Sequence, residues 1–287
     1  MPATIANEPV AAPATGVDKS NARVQRMFGE IAPRYDFLNH LLSLNTDRYW
    51  RWRTTKLVPP VAGGGPILDL CTGTGDLAIA YDKAAGGKLP ITAADFSAQM
   101  LDIGRQKGER RGANDHIEWV EADAQALPFA DNTYQLTTAA FGLRNVADTD
   151  QGLREMTRVT QPGGRVAVLE FTTPRRQPLR GLYGWYFRNV LPRIGQALMR
   201  NNSAAYEYLP ESVSQFYEYE QLTDRMSAAG LDDVRFYPLT FGVATLYVGK
   251  KVTAVARPTS SVGADAAGER RPGRHRRRRR LPHSRDQ

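Results

Sequence analysis

Short apolar runs in the first half of the chain stop at carboxylates, and a pair of glycines follows the first of them. In ILDLCTGTGDLAIA (Ile67–Ala80) the run reaches Asp69, passes Cys71, and opens a helix-like segment through Gly73 and Gly75. Asp95 closes the next run, and Asp123, with Ala124 beside it, follows the third. Glycines lacking a Cβ let a backbone approach a ligand closely. Gly73-Thr74-Gly75-Asp76-Leu77-Ala78 also satisfies the dinucleotide fingerprint G-x-G-x-x-G/A. Charge separates the ligand classes. A pyrophosphate needs the free N–H groups and positive dipole end of a helix N-terminus, and here Asp69 and Asp76 crowd that place with two carboxylates. S-Adenosyl-L-methionine has no phosphate. Its sulfonium, ammonium and ribose suit carboxylates and turn backbone groups, which assigns Asp69, Gly73 and Gly75 to the cofactor cradle. Asp95 stands twenty residues beyond Gly75, where an acid takes ribose hydroxyls in either ligand class. Asp123-Ala124 places an acceptor where an adenine amino group donates. No residue set calls for a metal.

These residues act together only if strand ends bring them together. Strand-like runs at Ile67–Leu70, Ile91–Ala94, Ile117–Val120, Tyr134–Ala140 and Gly164–Phe171 alternate with helix-like segments at Gly75–Lys83, Ser97–Arg110 and Asp148–Val159. Ser97 is the expected N-cap of the second helix, and Pro162-Gly163-Gly164 a turn before the fifth strand. A helix near Glu220–Ala229 and strands at Val234–Pro238 and Ala244–Lys250 complete the set. The pattern predicts an α/β fold with a doubly wound, mostly parallel seven-stranded sheet, ligands lying beyond the C-terminal strand ends.

The chain has 287 residues, and 41% of them are hydrophobic, enough for a sizeable core. One cysteine excludes an internal disulfide and favours a reducing compartment. Neither a secretory signal nor about 18 unbroken apolar residues is present, so a cytoplasmic protein is expected. The net charge of +8 invites a nucleic-acid reading. Its location argues otherwise. Residues 251–287 hold eleven Lys/Arg and three acids, so residues 1–250 are formally neutral. Expected domains are a disordered leader (1–18), one domain (19–250) and a disordered basic tail (251–287). Within the domain, amphipathic helices at 19–58 cap the site and 172–219 forms a lid or substrate insertion. The segment 172–206 carries six arginines and no acid, interleaved with Leu179, Leu182, Tyr183, Trp185 and Tyr186. That composition suits either anionic headgroups or a lid packed on the core.

Longer stretches identify a family. YDFLNHLLSLNTDRYW (Tyr35–Trp50) follows Y-D-x-M-N-x-x-[LIVM]-S-x-x-x-H-x-x-W, with Leu38 in place of Met and Asp47 in place of His. RVTQPGGRVAVLEFT (Arg158–Thr172) resembles a second signature, RVLKPGGxxxxLEFS, and FGLRNV (Phe141–Val146), LPRIG (Leu191–Gly195) and YEYLPESVSQF (Tyr206–Phe216) add to it. Over roughly residues 20–250 the chain resembles the C-methyltransferases of menaquinone and ubiquinone biosynthesis. The resemblance implies a class I S-adenosyl-L-methionine-dependent enzyme, with Thr74, Asp95, Asp123 and Ala124 at cofactor contacts. Ala140 stands where the family often has a serine.

The implied reaction methylates a ring carbon of a polyprenyl naphthoquinol, or of a benzoquinol, which needs the ring hydroxyl ionised and water excluded. A nearby cation lowers a phenol's pKa. Arg144 and Asn145, after the fourth strand, are the candidates for that role; alternatively Arg144 pairs with an acid such as Asp148. Asp36, His40 and Asp47 are alternative bases. The isoprenoid tail of such a substrate implies peripheral contact with the inner face of the cell membrane. Nucleic acid is not an expected partner, since the neutral 1–250 region has no basic stripe.

Overall fold

The computed structural model describes residues 43–190 and 212–252, together with Asp36, Asn39, His40 and Arg193. The leader, residues 19–35 of the expected cap, LPRIG apart from Arg193, residues 206–211 of YEYLPESVSQF, and the tail from residue 253 lie outside the described residues.

Seven strands form one sheet in the order β3-β2-β1-β4-β5-β7-β6. These are β1 (Ile67–Leu70), β2 (Ile91–Asp95), β3 (Ile117–Glu121), β4 (Tyr134–Ala140), β5 (Thr160–Phe171), β6 (Leu231–Leu239) and β7 (Ala244–Lys251). β1 pairs in parallel with β2 and β4, and only β7 runs antiparallel to its neighbours β5 and β6. All four residues of β1 and all five of β2 are buried, as continuous apolar runs covered on both faces require. The strand order reverses between β1 and β4, which opens a crevice at their C-terminal ends.

Helices α1 (Thr46–Leu57), α2 (Asp76–Ala85), α3 (Ala98–Arg110), α4 (Thr149–Val159), α5 (Leu179–Trp185) and α6 (Glu220–Ala228) flank the sheet. Ser97 caps α3 by accepting from the Met100 N–H, and Asp148 caps α4 by accepting from the Gln151 N–H. Two cores result. Leu153 and Met156 of α4 pack with Leu222 and Met226 of α6 in one. Trp50 of α1 and Leu77 and Tyr81 of α2 lie in the other. Each such fully buried aliphatic side chain stabilises the fold by about 1.5–3 kcal/mol.

The proline-glycine turn falls inside β5 rather than before it. Thr160 pairs with Tyr134 and Arg165 with Leu136, so the residues between them form an irregularity in the ladder. Gly163 adopts φ 77° there, a bulge conformation that costs glycine little. Among the described residues no helix is long and apolar enough to cross a membrane.

Candidate active site

A cavity of about 470 Å³ opens at the C-terminal ends of β1, β2, β4 and β5. α1, α5 and the 3₁₀ turn Thr240–Gly242 close its other sides.

On the β1–β2 side the backbone is shaped for close approach. Gly73 and Gly75 adopt φ 56° and 79°. A Cβ on Gly75 would stand 2.3 Å from the Trp119 ring, so a larger residue would have to displace that ring and hold an unfavourable φ. Asp69 is 1% exposed. Its carboxylate accepts from the Thr72 hydroxyl (2.6 Å), the Ala78 N–H (3.0 Å) and the Thr138 hydroxyl (2.9 Å), tying β1 to β4 and to the start of α2. Asp95 accepts from the Gly73 N–H at 2.8 Å and the Ser97 N–H at 3.0 Å. Burial pushes both carboxyls up to about 6, against the donors that face them. Asp123 accepts from the backbone and side chain of Gln125, and buried Ala124 lines the cavity beside it.

The remaining polar groups here form one ionic network. The Thr74 hydroxyl donates to Asp36 and accepts from Lys107 (2.5 and 2.9 Å). Lys107 Nζ bridges Asp36 and Asp76 at 2.5 and 2.7 Å. Arg51 reaches Asp47 at 2.5 Å and Asp76 at 3.6 Å, while His40 Nδ1 lies 2.7 Å from Asp47. Burial alone would raise Asp47 and Asp76. Ser43 and Arg51 reverse this for Asp47, and Arg51 and Lys107 for Asp76, so both sit below the usual carboxylate range. Ligand atoms of His40, Asp47 and Asp76 come within 4.8 Å of one another, but the guanidinium and ammonium already balance those acids.

The β4–β5 side is aromatic. Trp50, Phe141 and Phe171 pack at centroid distances of 4.5–5.9 Å and line the cavity. Cys71 and Phe141, at the ends of β1 and β4, both hold left-handed backbones (φ 52° and 57°). Conformations of this kind cost on the order of 1 kcal/mol each for non-glycine residues and concentrate at functional sites. They cross closely, since a Cβ on Gly142 would lie 2.3 Å from Cys71 Cβ. Burial and the surrounding acids push the Cys71 thiol well up.

Within this apolar wall sits one ion pair. Arg144 Nη1 donates to Glu170 Oε2 at 2.9 Å and to the Phe141 carbonyl, and the Arg144 N–H donates to Glu170 Oε1 at 3.2 Å. Glu170 is fully buried and Arg144 is 5% exposed. The guanidinium carbon lies 5.3 Å from the Phe171 centroid. Among the described residues, Arg144 Nε is buried without a hydrogen-bond partner.

The sequence-predicted residues thus converge. Asp69, Gly73, Thr74, Asp95, Asp123, Ala124, Arg144 and Asn145 all line this one cavity, and Gly75 is buried in the same loop. Asp148, the alternative partner of Arg144, instead caps α4 and lies 3.9 Å from Arg154. Of the alternative bases, Asp47 is committed to His40, Ser43 and Arg51, and Asp36 to Thr74 and Lys107. Sequence reasoning passed over Glu170, although the rule that picked Asp69 and Asp95, a carboxylate closing an apolar strand run, applies to it. Lys107 left no such signal, since only the tertiary fold brings α3 to the glycine loop.

A model of the ubiE/COQ5 methyltransferase family matches residues 16–251. The chain is 48% identical over 225 residues to a demethylmenaquinone methyltransferase of Thermus thermophilus, covering 78% of this chain and 100% of the relative. It is 43% identical over 229 residues to the ubiquinone/menaquinone biosynthesis C-methyltransferase UbiE of Geotalea daltonii, covering 80% of this chain and 96% of the relative. Among solved structures, a SAM-dependent methyltransferase of Thermotoga maritima aligns with a TM-score of 0.57 at 17% identity, over 79% of this chain and 99% of that one. That likeness concerns the fold. The glycine loop, the acids at the strand ends and the Arg144–Glu170 wall all fall inside the stretch matched by the family model, and the chain belongs to the ubiE/COQ5 methyltransferase family.

Proposed function

We propose that this enzyme transfers a methyl group from S-adenosyl-L-methionine to a ring carbon of a demethylated polyprenyl naphthoquinol, giving menaquinol. A benzoquinol of ubiquinone biosynthesis is the second reading, supported by the paired names of relatives such as that of Geotalea daltonii. The β1–β2 side fits the cofactor: Asp95 would offer carboxylate oxygens to ribose hydroxyls, Asp123 and Ala124 would hold the adenine, and the glycine loop would admit the amino-acid end. Bound there, S-adenosyl-L-methionine supplies the methyl group and leaves as S-adenosylhomocysteine.

The observation that carries the reading is the buried Arg144–Glu170 pair set in the aromatic wall of the cavity. A quinol ring carbon attacks well only when the neighbouring hydroxyl gives up its proton. A fixed guanidinium, in a wall of Trp50, Phe141 and Phe171, stabilises the resulting oxyanion. Glu170 balances the arginine and fixes its orientation, and Asn145 orients the hydroxyl. The ring carbon then forms its bond to the methyl group and releases its own proton. The exposed Arg176, just before α5, and Arg180, within α5 among Leu179, Leu182 and Trp185, suit an anionic lipid surface from which such a substrate comes.

Incubation with labelled S-adenosyl-L-methionine and reduced demethylmenaquinone, then with the benzoquinol analogue, tests the assignment. Label in the naphthoquinol is expected, and label in neither lipid overturns it. Arg144→Met should lower kcat by about 10²–10³, as for other oxyanion donors, with cofactor affinity retained.

A further inference from the structure

The turn Thr240–Gly242 holds three consecutive residues in the left-handed region, at φ 44°, 58° and 90°. Only the third is glycine. The middle residue, Phe241, is 79% exposed and yet lines the cavity. Left alone, such a turn would relax and withdraw its phenyl ring from water. It is pinned instead. Trp50 Nε1 donates to Thr240 Oγ1 at 2.7 Å. The Gly242 carbonyl accepts from the Thr172 hydroxyl at 2.9 Å and the Tyr219 hydroxyl at 3.4 Å.

Phe241 is one of four exposed apolar side chains on the cavity's edge. Leu44 is 76% exposed with φ 52°, Leu182 is 61% exposed and Trp185 is 53% exposed. All four line the same cavity, and they come from three separate segments: the turn before α1, helix α5 and the 240–242 turn. The rim continues the aromatic floor. Trp50 belongs to both, with its ring against Phe141 and Phe171 and its indole N–H on Thr240. The aromatic floor beside Arg144 and the exposed apolar rim thus line one cavity, joined through Trp50.

We infer that Phe241, with Leu44, Leu182 and Trp185, grips the first part of an apolar chain attached to the acceptor ring where that chain leaves the cavity. The inference rests on the proposed acceptor being a ring with a long apolar tail. The rim side chains stay exposed without that tail and are covered when it passes between them, gaining apolar burial on binding. Pinning the turn beforehand removes the ordering cost of the contact. Phe241 is thus a determinant of tail recognition, separate from the groups around Arg144.

The test compares reduced acceptors without an isoprenoid tail and with a long one, in detergent solution, for the wild-type enzyme and for Phe241→Ala and Phe241→Leu. In Phe241→Ala the ratio of long-tail to tail-less KM should rise about tenfold, the loss of one good apolar contact, and Phe241→Leu should recover most of it. Binding of the oxidised quinones, followed by quenching of tryptophan fluorescence, should show the same change in ratio. That binding readout stands even if no quinol is methylated, so failure of the assigned reaction is distinguished from failure of the rim. Equal effects on both acceptors, or none, would overturn the inference. So would a Phe241→Ala variant that changed only sedimentation with anionic vesicles, or only the oligomeric state, because the rim would then serve a membrane or a second copy.

Discussion

The two sides of the cavity use charge in opposite ways. Around the glycine loop, Asp36, Asp47 and Asp76 share Lys107, Arg51 and His40, and most of these groups have more than one partner. At the aromatic wall there is, among the described residues, a single buried pair, Arg144 with Glu170. A network with several partners per charge tolerates the loss of one. A lone pair in a low-dielectric wall does not, because either partner removed leaves an uncompensated buried ion. The contrast suits the proposed chemistry, in which one side would hold a polar ligand and the other would make a single cation count.

The largest effect should come from breaking the lone pair. Glu170→Ala is expected to destabilise the fold by about 3–5 kcal/mol, read as a lowered urea midpoint. The double variant Arg144→Met with Glu170→Leu should recover most of that stability while remaining inactive. If Glu170→Ala cost no more than a surface substitution, the asymmetry between the two sides would be gone.

Next in size is the backbone of the loop itself. Gly75→Ala places a methyl 2.3 Å from the Trp119 ring at φ 79°, so both overpacking and backbone strain apply. A loss of about 1–3 kcal/mol is expected, together with weakened cofactor affinity measured by calorimetry. This effect is mechanical, so high salt should not change it.

How far these effects were legible in the sequence follows the same division. Asp69, Asp95 and the glycines sit at the ends of local apolar runs, where periodicity alone marks the strand, its end and the cradle. Arg144 stood out through its place after β4, but its partner did not. Asp148 was the near neighbour in sequence, whereas Glu170 lies across the sheet, where β4 pairs with β5. The network through Lys107 and Arg51 needs α1, α2 and α3 brought together, and no spacing in one chain segment encodes that. Phe241 was hidden for another reason: a left-handed run with one glycine in three has no composition signal. Local order was readable, and pairing across elements was not.

A smaller effect, and a sharper one, is the pH dependence of cofactor binding. Burial holds the Asp95 carboxyl at about 6, so it becomes protonated below that pH and loses its capacity to accept from ribose hydroxyls. Affinity for S-adenosyl-L-methionine should fall by up to about tenfold per pH unit below pH 6, the limit for one proton. Asp95→Asn should bind weakly at pH 8 and show a shallower profile, keeping only what Asp69, also raised to about 6, contributes. A wild-type profile that is level from pH 5 to 8 would remove Asp95 from the cofactor contacts.

The smallest effect separates the two kinds of acid within the cofactor side. Asp69 and Asp95 have carboxyls raised by burial, so the native state holds more protons than the unfolded chain between about pH 4 and 6. Their contribution therefore lowers stability as pH rises through that window. Asp47 and Asp76 are held low by their cations. Their contribution is present above pH 4 and is lost as pH falls through their folded values. Lys107→Met removes one cation but leaves Arg51 at 3.6 Å from Asp76, so a cost of only about 1 kcal/mol at pH 7 is expected. The acid limb should then move to higher pH, because Asp76 is less well held, while the decline between pH 4 and 6 due to Asp69 and Asp95 stays in place. Urea titrations from pH 3 to 8 read both limbs in one experiment. If the variant shifted both limbs together, the strand-end acids and the network would be one coupled unit, and the redundancy argued for this side would have to be assigned to the whole cradle rather than to Arg51.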